Sequence, residues 1–96
     1  MKNIVLLGAT GSIGLSTLNV IRQNKEKFNL MAISFNQDLD TGLSIVNEFK
    51  PESIAIASEN IDQAHALFSS TSNIFTSSKG LQEMIQHPSV DIVISA

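Results

Sequence analysis

Three glycines near the N-terminus have the spacing of a loop that binds an anion. Gly8, Gly11 and Gly14 follow a short apolar run in the pattern G-x-x-G-x-x-G. Glycine at the first position permits a sharp turn, and glycine at the second lets a phosphate group approach the backbone closely. The N–H groups from Thr10 to Ile13 would then point at that anion, aided by the positive end of a helix dipole. The pattern therefore predicts a loop that binds the phosphates of a nucleotide.

The same loop carries hydroxyl groups but no lysine. Thr10 and Ser12 can donate hydrogen bonds directly to a phosphate. A P-loop that binds a nucleoside triphosphate needs a lysine, and this loop has none. We therefore predict a dinucleotide ligand, the alternative being a glycine-rich turn that binds nothing. The position of the motif, between a predicted strand and a predicted helix, favours the dinucleotide.

The residues that would read the adenosine ribose follow the second predicted strand. An NAD-binding domain usually has an acidic residue about 20 positions after the glycines, at the end of that strand. The strand end here is not acidic, and no Arg or Lys stands there to hold a 2′-phosphate. Asn36 and Gln37 can donate neutral hydrogen bonds. Asp38 would repel an exposed phosphate by about 1 kcal/mol at ~4 Å, or it begins the next helix, which is the interpretation we favour.

The elements around the motif alternate between strands and helices. Short apolar, β-branched runs predict strands over residues 3–7, 28–34, 53–57, 73–76 and 90–95. Apolar residues at helical spacing predict a helix with Ser12 as N-cap that ends near Asn24, and a second helix over 39–49. A third helix is predicted over 61–68, with Asn60 as its N-cap, and a short fourth ends before Pro88.

The order β-α-β-α-β-α-β-α-β predicts an α/β fold, a Rossmann-like doubly wound parallel sheet with helices on both faces. Ligands of such sheets bind beyond the carboxyl ends of the strands, and Gly8 marks the first of these ends. The fold prediction and the motif therefore place the ligand at the same edge of the sheet.

Composition narrows the partners to a small molecule. The formal net charge is −3 with six basic residues scattered along 96 positions, so no basic stripe predicts contact with nucleic acid. The absence of cysteine excludes disulfides and thiolate metal sites within this sequence. The apolar run before Gly8 is far too short to span a bilayer, and we expect no membrane association.

No catalytic or metal-binding group can be nominated within these 96 residues. His65 and His87 have no partners at ligand spacing and are interpreted as surface residues, and no carboxylate pair or triad is present. Residues 90–96 have the composition of a strand without a closing element. We therefore expect residues 1–96 to be an N-terminal dinucleotide-binding domain that is incomplete at its C-terminus, with catalytic and C-terminal domains absent.

Beyond the glycines, several stretches resemble one enzyme family. Residues 1–14 are followed by Ser16-Thr17-Leu18 and Val20-Ile21-Arg22, then by Asn24-x-Glu26-x-Phe28, Ala32 and Glu48-Phe49-x-Pro51. This pattern is similar to the N-terminus of the 1-deoxy-D-xylulose 5-phosphate reductoisomerases, and the similarity is strongest up to Ala32. The combination of Gly-Ser-Ile-Gly with Asn-x-Glu-x-Phe is more specific than the glycines alone.

The resemblance implies an NADPH-dependent enzyme of non-mevalonate isoprenoid biosynthesis. Such an enzyme rearranges and reduces 1-deoxy-D-xylulose 5-phosphate to 2-C-methyl-D-erythritol 4-phosphate, requires Mg²⁺ or Mn²⁺, and is a homodimer in bacterial cytoplasm or in plastids. In the family, the residues that match Thr10, Gly11, Ser12 and Ile13 contact NADPH, and all four are intact here. We add Asn36 as a fifth candidate. The metal ligands and the substrate-phosphate site are expected beyond residue 96, so the chain alone is predicted to be inactive.

One departure from the family concerns cofactor choice. Where the family has Gly-Lys-Asn, this sequence has Asn36-Gln37-Asp38, so a lysine that helps to hold the 2′-phosphate is lost and an acid is gained. Relaxed use of NADH is a consequence to test. Two other interpretations remain open at this point. One is a different Rossmann oxidoreductase, of the semialdehyde dehydrogenase or short-chain reductase type, and the other is a non-catalytic dinucleotide-sensing module.

Overall fold

The structure is a computed structural model that describes residues 1–56, 62, 65, 66, 68 and 73–96. The strands are β1 (Lys2–Leu7), β2 (Phe28–Ser34), β3 (Ser53–Ala55), β4 (Asn73–Phe75) and β5 (Ile92–Ser95). The helices are α1 (Ser12–Gln23), α2 (Leu39–Phe49) and α3 (Ser78–Ile85). These bounds agree with the sequence predictions to within about two residues at most element ends.

The helix predicted over 61–68 falls largely outside the described residues, as do Asn60, Ile61, Ala64 and Leu67. Asp62, His65 and Ala66 are described as helical and exposed, and Phe68 is fully buried. The ring of Phe68 meets that of Phe35 edge to face, with 5.7 Å between centroids. Phe68 is therefore part of the hydrophobic core.

All five described strands run parallel in one sheet, in the order β4-β3-β2-β1-β5. This confirms the predicted α/β class. The chain moves outward from β1 through β2 and β3 to β4, then returns to place β5 on the other side of β1. The carboxyl end of β1 is consequently the point at which the direction of winding reverses, where open parallel sheets bind their ligands.

The two faces of the sheet are covered by different helices. On one face, α1 and α2 bury apolar side chains against β1, β2 and β3, including those of Leu18, Ile21, Ile45 and Val46. On the other face, α3 packs a smaller cluster around Met84. Burial of each such side chain contributes roughly 1.5–3 kcal/mol, so the α1/α2 face supplies most of the stabilisation. Helices on both faces confirm the doubly wound arrangement.

A β-bulge in β2 sets the register at the ligand-binding edge. Ile4 pairs with Leu30, but the next residue, Val5, pairs with Ala32, so Met31 is an extra residue in β2. Continuing the earlier register would bring Ile33 opposite Leu7; with the bulge, Leu7 pairs with Ser34. The inserted residue therefore brings Ser34 beside the start of the glycine loop.

The prediction that Ser12 is the N-cap of α1 is wrong. The N-cap is Gly11, in an extended conformation with φ −78° and ψ 171°, and its carbonyl accepts the first helical hydrogen bond from Leu15 at 2.9 Å. Ser12 already lies inside the helix. Within the described residues no side chain caps this N-terminus. The N–H groups of the first turn have no intrahelical partner, so they are available to donate hydrogen bonds to water or to a ligand.

Gly14 is required because α1 crosses the loop at very short range. A Cβ atom there would lie 2.6 Å from the carbonyl oxygen of Ala9 and closer still to that of Gly8.

We expect Gly14→Ala to lower the free energy of unfolding by about 1–3 kcal/mol, because neither backbone atom can move aside freely. Chemical denaturation of the protein expressed from its complete reading frame measures this. The matched control is Gly11→Ala, whose Cβ would meet its nearest atom at 3.7 Å; equal stability of both variants would contradict the packing argument.

Glu48 joins α2 to α1 through a bidentate ion pair with Arg22. Nη2 of Arg22 donates to Oε1 at 2.8 Å, and Nε donates to Oε2. The hydrogen bonding from Arg22, helped by its charge, holds the pKa of Glu48 below its ordinary value of 4.5. Because the folded-state pKa is the lower one, the pair stabilises the fold above the ordinary pKa, and this contribution is lost as the pH falls through the folded-state pKa.

Glu48→Gln is therefore expected to lower the free energy of unfolding slightly at pH 7, with the difference from the native protein disappearing as the pH falls below 4.5. The effect should shrink in high salt because both side chains are partly exposed. Denaturation curves at several pH values provide the measurement. Glu26→Gln, at an exposed position outside the ion pairs of the described residues, is the control. A pH-independent difference would contradict the ion-pair explanation.

Candidate functional site

The glycine loop is fixed to the end of β2 by backbone hydrogen bonds. The N–H of Gly8 donates to both the carbonyl oxygen and the hydroxyl oxygen of Ser34, at 3.1 Å each. The N–H of Ala9 donates to the same carbonyl at 2.9 Å, and that of Gly11 donates to the carbonyl of Gly8 at 3.3 Å. Gly8 has a φ of +78°, in the left-handed region that favours glycine. The loop therefore turns sharply off β1 and starts α1 from a fixed point.

Gly11 differs from Gly8 and Gly14 because nothing in the described structure requires it to be glycine. Its φ of −78° is available to any residue, and a Cβ would meet only the carbonyl oxygen of Gly8, at an ordinary 3.7 Å. The absence of a side chain leaves open space in front of the loop. In dinucleotide-binding loops, glycine at the second position of the motif lets a pyrophosphate approach the backbone closely.

The predicted loop residues lie together in front of that space. Gly11, Ser12 and Ile13 are exposed and Thr10 is half-buried. Ile13 is 65% exposed although its side chain is apolar. The exposed residues Ser12 and Ile13, with the half-buried Thr10 beside them, thus lie at the positive end of α1. The arrangement suits an anionic ligand that also carries an apolar surface.

Asn36 lies beside the loop rather than in it. With Ser34 it lines a cleft of about 340 Å³ at the carboxyl ends of β2, β3 and β4. The other lining residues are Ala55, Ile56, Thr76, Ser77, Ser78 and Leu81. The structure therefore separates the five candidates into four on the loop and one in the neighbouring cleft, with Ser34 touching both.

The hydroxyl-rich wall of this cleft was missed by sequence reasoning. Thr76, Ser77 and Ser78 follow β4 directly, and Ser77 caps α3 by accepting a hydrogen bond from Gly80 N at 3.0 Å. The run of polar residues immediately after β4 is the sequence feature from which this wall could have been predicted. Residues 73–76 are distant in sequence from the glycines, and only the sheet order brings them to the same edge.

Asp38 is the N-cap of α2. Its Oδ1 accepts a hydrogen bond from Thr41 N at 3.1 Å, so the side chain caps the helix. Asp38 does not line the cleft that contains Asn36. This confirms the favoured interpretation of Asp38 as the start of the second helix.

The remaining chemistry-bearing side chains form no second site in the part of the chain that the structure describes. Among those residues, no group of three or more His, Cys, Asp or Glu side chains could hold a metal ion. His65 and His87 are exposed, as predicted, and Nδ1 of His87 accepts a local hydrogen bond from Ser89 N at 3.1 Å. No described helix is long and apolar enough to cross a membrane.

Comparison with known proteins identifies the family that this chain resembles. Residues 4–96 match the family described as 1-deoxy-D-xylulose 5-phosphate reductoisomerase. The chain is 41% identical over 98 residues to the reductoisomerase of Listeria welshimeri and 38% identical over 96 residues to that of Bacillus cereus. Each match covers the whole chain but 25% of the relative, so the chain spans about a quarter of their length.

Solved structures give the same result. Two crystal structures of a reductoisomerase, one with magnesium and one with NADPH, fosmidomycin and magnesium, superpose with TM-scores of 0.91 and 0.85 at 31% identity. Each superposition covers 97% of this chain and 24% of the other. Together with the sequence matches, these comparisons show that the chain belongs to the 1-deoxy-D-xylulose 5-phosphate reductoisomerase family.

Proposed function

We propose that residues 1–96 form the N-terminal NADPH-binding part of a 1-deoxy-D-xylulose 5-phosphate reductoisomerase. The observation that carries the proposal is Gly11, where no internal contact calls for glycine and the space in front of the loop is open. The complete enzyme would rearrange and reduce 1-deoxy-D-xylulose 5-phosphate to 2-C-methyl-D-erythritol 4-phosphate. Family membership weighs against both a different Rossmann oxidoreductase and a sensing module.

The loop residues would bind the pyrophosphate of NADPH. The N–H groups of Ser12 and Ile13 begin α1, where they have no intrahelical partner and the helix dipole favours negative charge. The hydroxyls of Thr10 and Ser12 would add two hydrogen bonds, and the exposed side chain of Ile13 would cover an apolar part of the cofactor. The similar crystal structure that contains NADPH supports this assignment.

Asn36 would contact the adenosine end of the cofactor. It follows β2 and lines the cleft beside the loop, at the edge where parallel sheets bind their ligands. NADPH bound across the loop would supply the hydride for the reduction. The part played by residues 1–96 is to hold and orient it at the sheet edge.

The rest of the reaction is assigned to the remainder of the polypeptide. By family resemblance, the Mg²⁺ or Mn²⁺ of the enzyme would be bound by residues beyond 96. The same applies to the phosphosugar substrate and the catalytic groups, and residues 1–96 alone should show no turnover. By family resemblance we propose a homodimer that is located in bacterial cytoplasm or in a plastid.

The role of Gly11 is tested by Gly11→Ala in the protein expressed from its complete reading frame. A Cβ at this position would intrude where the pyrophosphate approaches, so the Kd for NADPH should rise by about tenfold or more, the cost of losing a hydrogen bond to a charged group. Calorimetric titration with NADPH measures this, and denaturation should show unchanged stability. Ser44→Ala, at an exposed position on α2, is the control. Unaltered NADPH binding by Gly11→Ala would refute the proposed site.

Cofactor preference is tested at the position where the family has lysine. Gln37→Lys should strengthen NADPH binding by about fivefold, because a lysine near an exposed phosphate contributes roughly 1 kcal/mol at ~4 Å. Binding of NADH, which has no 2′-phosphate, should not change. Parallel titrations of both cofactors make the comparison, with Gln37→Met as a neutral control of similar length. An equal gain for both cofactors would show that position 37 does not face the 2′-phosphate.

A further inference from the structure

Ser34 connects the two parts of the site. As the last residue of β2, it pairs with Leu7 of β1 and with Ala55 of β3. Its hydroxyl oxygen accepts a hydrogen bond from Gly8 N at 3.1 Å, and Ser34 is also one of the residues that line the cleft with Asn36. Ser34 therefore belongs both to the glycine loop's anchor and to the cleft wall.

The place of Ser34 in the fold has a defined role in dinucleotide-binding sheets. About 20 residues after the last glycine, at the end of the second strand, NAD-binding domains carry an acidic residue that accepts a hydrogen bond from the ribose 2′-hydroxyl. Ser34 stands about 20 residues after Gly14 and ends β2. A carboxylate at this place would be close to the 2′ position and would repel a 2′-phosphate.

We infer that Ser34 is a specificity-determining residue, whose neutral hydroxyl anchors Gly8 and keeps negative charge out of the cleft so that a 2′-phosphate is accepted. The inference rests on the proposed function and assigns cofactor choice to a residue outside the Asn36-Gln37-Asp38 segment. Ser34 performs in uncharged form the anchoring that a carboxylate would also provide, because either oxygen can accept the hydrogen bond from Gly8 N.

The surroundings of Ser34 support this assignment. None of the described residues that line the cleft is acidic. The nearest acid in sequence, Asp38, uses its carboxylate to cap α2 through Thr41. The bulge at Met31 places position 34, rather than position 33, opposite Leu7. A negative charge introduced at position 34 would therefore enter a cleft that is otherwise lined by neutral side chains.

The test compares Ser34→Asp with the isosteric, uncharged Ser34→Asn in the protein expressed from its complete reading frame. The Kd values for NADPH and NADH are measured by calorimetric titration, and folding is checked by thermal denaturation. Ser34→Asp should lower the NADPH preference, expressed as the ratio of the two Kd values, by about tenfold or more through like-charge repulsion. Ser34→Asn should leave that ratio within about twofold of the native value, because it adds no charge.

The outcomes separate this inference from the proposed function. Native protein that binds neither cofactor would overturn the proposed function and, with it, the inference. Native protein that binds NADPH, together with an unchanged ratio in Ser34→Asp, would overturn the inference alone. An equal change of the ratio in Ser34→Asn would overturn it too, because charge would not be the cause. If Ser34→Asp does not fold, Ser34→Glu with Ser34→Gln as its control repeats the comparison.

Discussion

The junction between Gly8 and Ser34 is the interaction on which the site depends. Two successive N–H groups of the loop, those of Gly8 and Ala9, donate to one carbonyl at the end of β2. This fixes where the chain leaves β1, and the left-handed conformation of Gly8 then directs it towards α1. The N-terminus of α1, the open space at Gly11 and the cleft beyond β2 all take their positions from this point.

Packing around the junction explains why similar glycines have different roles. Gly14 lets α1 cross the carbonyls of Gly8 and Ala9, and Gly42 leaves room for the buried ring of Phe35 just after β2. At both positions, a side chain would collide with other atoms of the fold. Gly11 meets neither constraint within the described residues, and the proposed cofactor site therefore depends on this position. Of the three glycines, Gly11 is therefore the position at which a substitution tests the proposed ligand without disturbing the packing.

Local features of the sequence were enough to predict most elements. The apolar run before Gly8, the helical spacing over 39–49 and the interruption at Lys50-Pro51 gave β1 and α2 with nearly correct bounds. Asp38 was correctly favoured as the start of α2, because capping depends on residues only three positions apart. The same reasoning failed at Ser12, where the turn back from Gly8 places Gly11 at the cap and draws the serine into the helix. The position of the cap depends on contacts between the loop and β2, and the intrinsic preference of serine for N-cap positions takes no account of such contacts.

The sequence by itself determined the alternating α/β pattern, the glycine loop between β1 and α1, and the family. These follow from hydrophobic periodicity, glycine spacing and local motifs, all of which are properties of neighbouring residues. Only the tertiary structure decided that Met31 is bulged, that Ser34 consequently meets Gly8, and that Thr76 and Ser77 form a wall beside Asn36. The physical reason is that strand register and cleft walls arise from pairing between segments that are distant along the chain, where a shift of one residue changes every partner.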